Sequence, residues 1–113
     1  MSQDPLYNLS QLREVAAGSE DFVNKMVDMF LEMTPALVQR VADGTAQKDW
    51  DEVQSASHKM KPSIDMMGIA SLHDVIREIE QNAKHGKNVE DIPGLLQKLQ
   101  DTLAQVYEQL RAR

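Results

Sequence analysis

The stretch Trp50-Asp51-Glu52-Val53-Gln54-Ser55-Ala56-Ser57-His58-Lys59-Met60-Lys61-Pro62-Ser63-Ile64-Asp65-Met66-Met67-Gly68 decides the fold. Trp50, Val53, Ala56, Ser57, Met60, Ile64 and Met67 recur every three or four residues and trace the buried stripe of one amphipathic helix, expected from about Asp49 to Met67. Asp51, Gln54, Ser55, His58, Lys61 and Asp65 fall on the other side, so the imidazole of His58 faces water. Gly68 suits the left-handed residue that closes a helix, and Pro62 lies inside the pattern.

The same period runs outward in both directions, with no sustained alternation of β-branched and polar residues, so the chain reads as all-α. A short opening helix is expected from Leu9 to Ala17, capped by Asn8 and released by Gly18. Ser19 caps a second helix whose stripe is Phe22, Met26, Met29, Phe30, Met33, Leu37, Val38 and Val41, kinked near Thr34-Pro35 and ending near Gly44. After Gly68 a fourth helix opens at Ser71, with Asp74 completing a capping box. It buries Leu72, Val75, Ile76, Ile79 and Ala83, and runs to Gly86 with Lys84 and His85 at its negative end. Asp91 caps the last helix and Pro93 sits in its first turn. Leu95, Leu96, Leu99, Leu103, Val106, Tyr107 and Leu110 form its seam. Short polar connectors between long helices favour antiparallel neighbours. The expected architecture is an up-down antiparallel four-helix bundle with an additional short N-terminal helix, in a single domain over residues 1–113.

Composition bounds the function. At 113 residues, 42% hydrophobic and 27% charged, the chain has material for one globular core. A net charge of −6, with no dense run of Lys and Arg, argues against nucleic acid and anionic membranes. The absence of cysteine removes disulfides and thiolate metal sites and suits a reducing cytosol. Met1-Ser2-Gln3-Asp4-Pro5 lacks the layout of a secretory signal, and no run approaches the ~18 apolar residues of a membrane span, so a cytoplasmic location is expected. His58, His73 and His85 lack i, i+4 spacing and fall on different elements, which disfavours a metal site. His73 and His85 read as ordinary surface residues. No Gly-rich nucleotide loop or Ser-His-Asp set is present, so a self-sufficient kinase or hydrolase is not supported.

With its bundle context, the spacing His58, Lys61, Ser63, Gly68 resembles the histidine-containing phosphotransfer (HPt) domain of multistep phosphorelays. Members of that family read His-x-Leu-Lys-Gly-Ser-(small)-x-x-x-Gly. Here Met60 stands for the leucine and Pro62 for the first glycine, and the resemblance covers nearly the whole chain. It implies a phosphocarrier: His58 accepts a phosphoryl group from a receiver-domain aspartate and passes it to another receiver. An ordinary solvated imidazole, with a pKa of ~6.5, is mostly neutral at pH 7, so such a nucleophile needs access more than tuning. Lys61, one turn on, places an ammonium where phosphoryl oxygens gather charge, whereas Lys59 points roughly 100° away. Counting from Gly68, the resemblance puts Ile79-Glu80-Gln81 beside the ring and makes Glu80 the candidate acceptor for an Nδ1–H of His58.

The implied partners are receiver domains of a hybrid histidine kinase and of a response regulator, bound transiently. The divalent metal belongs to the receiver, so this chain needs no cofactor of its own, and a monomer is the simplest expectation. Pro62, Ser63 and Gly68 are assigned to the motif and partner-docking surface, with Pro62 tuning partner choice. Ile64, Met67, Ile69, Leu9 and Leu12 are the candidate apolar contacts beside His58. The starting methionine favours a whole protein over a piece of a hybrid kinase. The alternative is an adaptor of the same fold that binds a receiver or kinase without carrying phosphate.

Overall fold

The computed structural model describes residues 5–113; Met1–Asp4, the start of the stretch read against a secretory signal, lie outside the described residues. The elements are α1 (Ser10–Val15), α2 (Glu20–Gln47), α3 (Trp50–Met66), α4 (His73–His85) and α5 (Ile92–Ala112), with single 3₁₀ turns leading into α4 and α5. α2 packs on α3, α3 on α4, α4 on α5, and α5 back on α2, which closes a four-helix bundle with α1 resting against α2. No strand occurs among the described residues, and no helix there is long and apolar enough to cross a membrane.

Side chains from all five helices build one contiguous core. Leu12 of α1, Val23 and Val41 of α2, Met60 and Ile64 of α3, Ile76 and Ile79 of α4, and Leu99 and Leu103 of α5 are essentially inaccessible. Phe30 meets Tyr107 edge to face, with ring centroids 5.9 Å apart, and so ties α2 to α5. The N-terminal segment is fastened at two points. The Leu6 N–H donates to Gln109 Oε1 of α5 (2.8 Å), and the Asn8 N–H donates to the Met67 carbonyl at the end of α3 (2.9 Å).

Several helix ends differ from the sequence expectation, each for a local reason. α2 runs a full turn beyond Gly44 and exits through Lys48 in the left-handed conformation, with the Gly44 carbonyl accepting from Asp49 N–H at 2.8 Å. Gly44 is there for closeness: a Cβ would stand 2.9 Å from Val53 Cγ2 and 3.2 Å from the Asp49 carbonyl oxygen. Pro35 lies on the exposed side of α2 and does not end it, so only the Leu31 carbonyl loses its donor. α1 is shorter than expected, and Asn8 serves it from outside by accepting the Ser10 N–H. Ser19 caps α2 as expected, accepting from Phe22 N–H, and Asp49, expected only as the start of the helix, caps α3 by accepting from Glu52 N–H. Ser71 and Asp91 do not: the chain enters α4 and α5 through 3₁₀ turns, where neither side chain makes a cap bond.

The apolar face of α2 is also rotated from the expected one. Val23, Val27, Phe30, Thr34 and Val41 point inward, whereas Phe22, Met29 and Met33, read as part of the stripe, are exposed. Phe, Met and Val interleave so densely along α2 that two adjacent stripes satisfy the period, and only packing against α3 and α5 selects one.

Candidate functional site

α3 and α4 lie side by side, joined by the turn at Gly68. Their shared edge brings His58, Lys61 and Glu80 together. The His58 side chain is 64% exposed, and the Glu80 side chain, on the inner face of α4 beside Ile76, Ile79 and Ala83, is 4% exposed. Glu80 Oε2 lies 2.6 Å from His58 Nδ1, and Glu80 Oε1 accepts from Lys61 Nζ at 2.8 Å. One buried carboxylate thus holds both His58 and Lys61. The i, i+3 spacing of His58 and Lys61 makes this possible, because it sets them one turn apart on the flank of α3 that meets α4.

Burial presses the Glu80 carboxyl upward, but the hydrogen bonds from Lys61 and from His58 outweigh it and hold the group below the usual carboxylate range. It is therefore ionised at neutral pH and can only accept, which requires the hydrogen on Nδ1 of His58. Nε2 is left as the nitrogen with a free lone pair, on the exposed ring. Because the folded carboxyl titrates below its unfolded counterpart, its contribution to stability is complete above the unfolded value and is lost as pH falls through the folded one. Urea midpoints measured from about pH 5 down to pH 3 should therefore fall more steeply for the parent than for Glu80→Gln. Equal slopes would mean that the carboxylate gains nothing from its two donors.

The other expected site residues are more dispersed in role. Pro62 is exposed one turn beyond His58; α3 passes through it, and the His58 carbonyl forgoes its i+4 donor. Ser63 is half-buried, and its carbonyl accepts the Met67 N–H at the end of α3. Gly68 has φ +61°, and a Cβ there would stand 2.3 Å from the Asn8 carbonyl oxygen. Its place is under the N-terminal segment. Lys59 is exposed on the flank carrying Glu52, which is bound in turn by Arg40 of α2.

A second polar cluster one turn along the α3–α4 edge was not legible in the sequence. Arg77 Nη2 donates to Asp65 Oδ2 at 2.7 Å, Arg77 Nη1 reaches Asp65 Oδ1 and the His73 carbonyl, and His73 Nδ1 lies 3.3 Å from Asp65 Oδ1. The Arg77 guanidinium, ahead of burial and of His73, sets the Asp65 carboxyl below its ordinary range. Asp65 follows His58 by seven residues and Arg77 precedes Glu80 by three; these spacings signal one shared edge once α3 and α4 are known to pair. No group of three or more His, Asp or Glu side chains suited to a metal ion occurs among the described residues.

The apolar surface lies elsewhere than expected. Ile64, Met67, Ile69, Leu9 and Leu12 are all buried in the bundle core and cannot meet a partner. Among the described residues the large exposed apolar side chains are Val15 of α1 and Phe22, Met29 and Met33 of α2; the last three are spaced i, i+7, i+11 along one side of the helix.

Compared with known proteins, residues 25–112 match the family model described as Hpt domain. Among solved structures, the crystal structure of the HPT domain from the Hpt sensor hybrid histidine kinase from Shewanella superposes with a TM-score of 0.81 at 22% sequence identity, over 95% of this chain and 92% of that chain. At that identity the likeness concerns the fold. A comparison with curated proteins finds no significant match.

Proposed function

The chain belongs to the Hpt domain family, and from that premise we propose that it is a phosphocarrier, with His58 as the residue that takes a phosphoryl group from one receiver domain and yields it to another. Phosphotransfer within phosphorelays is the role that family membership supports; the acceptor atom, the two-receiver route and the transience of the complexes are the proposal. The observation that carries it is the exposed imidazole whose Nδ1 is engaged by Glu80 and whose Nε2 is free.

In the proposed step, the Nε2 lone pair attacks the phosphorus of a receiver's aspartyl phosphate. The N–P bond forms as the bond between phosphorus and the carboxylate oxygen breaks, and the aspartate leaves as a carboxylate. The Nδ1 proton stays in its bond to Glu80, so positive charge developing on the ring faces a carboxylate. Transfer onward is the reverse step on a second receiver. A divalent metal would be held by the receiver beside its aspartate, and this chain would supply only the nucleophile and its two neighbours. A location in the cytoplasm, where receiver domains meet their kinases, belongs to the same proposal.

Exposed Val15, Phe22, Met29 and Met33 offer apolar area of the scattered, modest kind that suits partners which must also leave. Pro62 lies exposed one turn from His58, where a docking receiver would meet it. Pro62→Gly is therefore expected to change transfer rates a few-fold with some receivers of a panel and to leave others unchanged, and identical rates across the panel would remove Pro62 from partner choice. The function itself is tested by incubating the chain with a phosphorylated receiver and following the phosphate. Acid-labile label on the chain is expected, and its absence with every receiver tried would leave the adaptor as the better account.

A further inference from the structure

We infer that Lys61 serves His58 through Glu80: its ammonium balances the buried carboxylate, so the ring need give Glu80 only a hydrogen bond and no positive charge, and keeps the Nε2 lone pair. The consequence for transfer rests on the carrier proposal, but the state of the ring does not.

A lysine whose one task was to meet phosphoryl oxygens would stand free beside Nε2. Lys61 is instead 25% exposed, with its Nζ 2.8 Å from Glu80 Oε1. Among the described residues Glu80 has two hydrogen-bonding partners, and both are residues of the motif. The other cations nearby are bonded elsewhere or stand in solvent. On α4, Arg77 is held by Asp65 of α3; Lys84, one turn beyond Glu80, is exposed. On α3, Lys59 lies exposed toward Glu52, and Glu52 is bound by Arg40 of α2. None of these cations donates to Glu80. Without Lys61, a carboxylate almost closed to water would keep the imidazole as its one hydrogen-bond donor, with Arg77 acting on it only through space while bonded to Asp65, and a buried charge short of a partner is costly. The cheapest neutralisation is a second proton on the ring, at Nε2. That proton would occupy the lone pair that attacks phosphorus. In this arrangement Lys61 is a positioning residue, setting the protonation state of the nucleophile from the far side of a shared carboxylate.

Lys61→Met, Lys61→Arg and the double variant Lys61→Met/Glu80→Gln separate this from a direct role. The first readout is the ¹⁵N spectrum of the His58 ring at pH 7.5 in the unphosphorylated protein. The parent and Lys61→Arg should show a neutral ring protonated at Nδ1, Lys61→Met a ring about half doubly protonated, and the double variant a neutral ring again, since an amide oxygen accepts without charge. The second readout is transfer from a phosphorylated receiver, as the ratio of variant to parent at each pH. For Lys61→Met the ratio should be about one-half at pH 7.5 and climb toward one by pH 9, since loss of a nearby charge moves a titration by about one unit, which leaves an ordinary imidazole about half protonated at pH 7.5. The double variant should recover most of the loss at pH 7.5. A ring that stays neutral in Lys61→Met, or a deficit that is the same at every pH and indifferent to Glu80→Gln, would overturn the inference and place the ammonium on the phosphoryl group alone. If the ring states change as described while no variant, nor the parent, accepts phosphate, the inference stands and the carrier proposal falls.

Discussion

Replacing His58 by glutamine should reduce phosphoryl acceptance from a phosphorylated receiver to background, a loss of roughly a thousandfold or more, the size that follows deletion of a nucleophile. A glutamine amide nitrogen has no lone pair free for attack, because it is delocalised into the carbonyl. The side chain it replaces is 64% exposed, so the fold has little to lose; unfolding free energy should change by less than about 1 kcal/mol. Acceptance and stability are thereby separable in one variant. His73 and His85 serve as internal controls. His73 is engaged with Asp65 and Arg77, and His85 lies 3.2 Å from Gln81 Oε1 at the end of α4. Label that persists in His58→Gln would put the acceptor on one of these or on a hydroxyl and would refute the assignment.

The second large effect is on stability and comes from Gly68. At φ +61° any L-residue carries a penalty of about 1–2 kcal/mol. At this position the added Cβ also meets the Asn8 carbonyl oxygen at 2.3 Å, which is backbone and cannot rotate aside. Either the N-terminal segment lifts, losing the bond from Asn8 N–H to the Met67 carbonyl, or the end of α3 shifts. Gly68→Ala should therefore cost about 3 kcal/mol in urea denaturation. Gly86 is the matched comparison: it has φ +62°, and a Cβ there meets nothing within 4 Å. Gly86→Ala should cost about 1 kcal/mol, and the difference between the two variants measures the clamp on the N-terminal segment. Equal costs would show that the segment is not held.

That clamp also marks how far the sequence could be read. The spacing from His58 to Gly68 matched a family motif, and periodicity alone put the imidazole outside, where it is. What the spacing did not disclose is that Gly68 is fitted beneath Asn8, sixty residues earlier in the chain. The helices were legible because Met60, Ile64, Ile76, Ile79, Leu99 and Leu103 repeat with the period of the faces they bury. Caps were legible only where the helix is entered directly. Ser19 accepts the bond expected of it, whereas Ser71 and Asp91 fall in 3₁₀ turns and make no cap bond. Gly44 looked like an ending and is a contact surface, since a glycine chosen for absence of bulk and one chosen for positive φ read alike.

The candidate site divides in the same way. His58 and Lys61 were evident from one helix, but the shared use of Glu80 is a property of two helices. An isolated carboxylate on α4 carries no sign that it will be buried, and its burial depends on Ile76, Ile79 and Ala83 drawing that face inward. The apolar residues expected near the ring were misplaced because hydrophobic character does not state whether a side chain faces core or partner. Ile64, Met67 and Ile69 fill the interior, and Met29 and Met33 do not.

The measurement that bears most directly on the account is ³¹P–¹⁵N NMR of the chain after reaction with a phosphorylated receiver, which reports the nitrogen that carries phosphorus. The geometry predicts phosphorus on Nε2 of His58, with Nδ1 still protonated toward Glu80. Phosphorus on Nδ1, or on any residue other than His58, would contradict it.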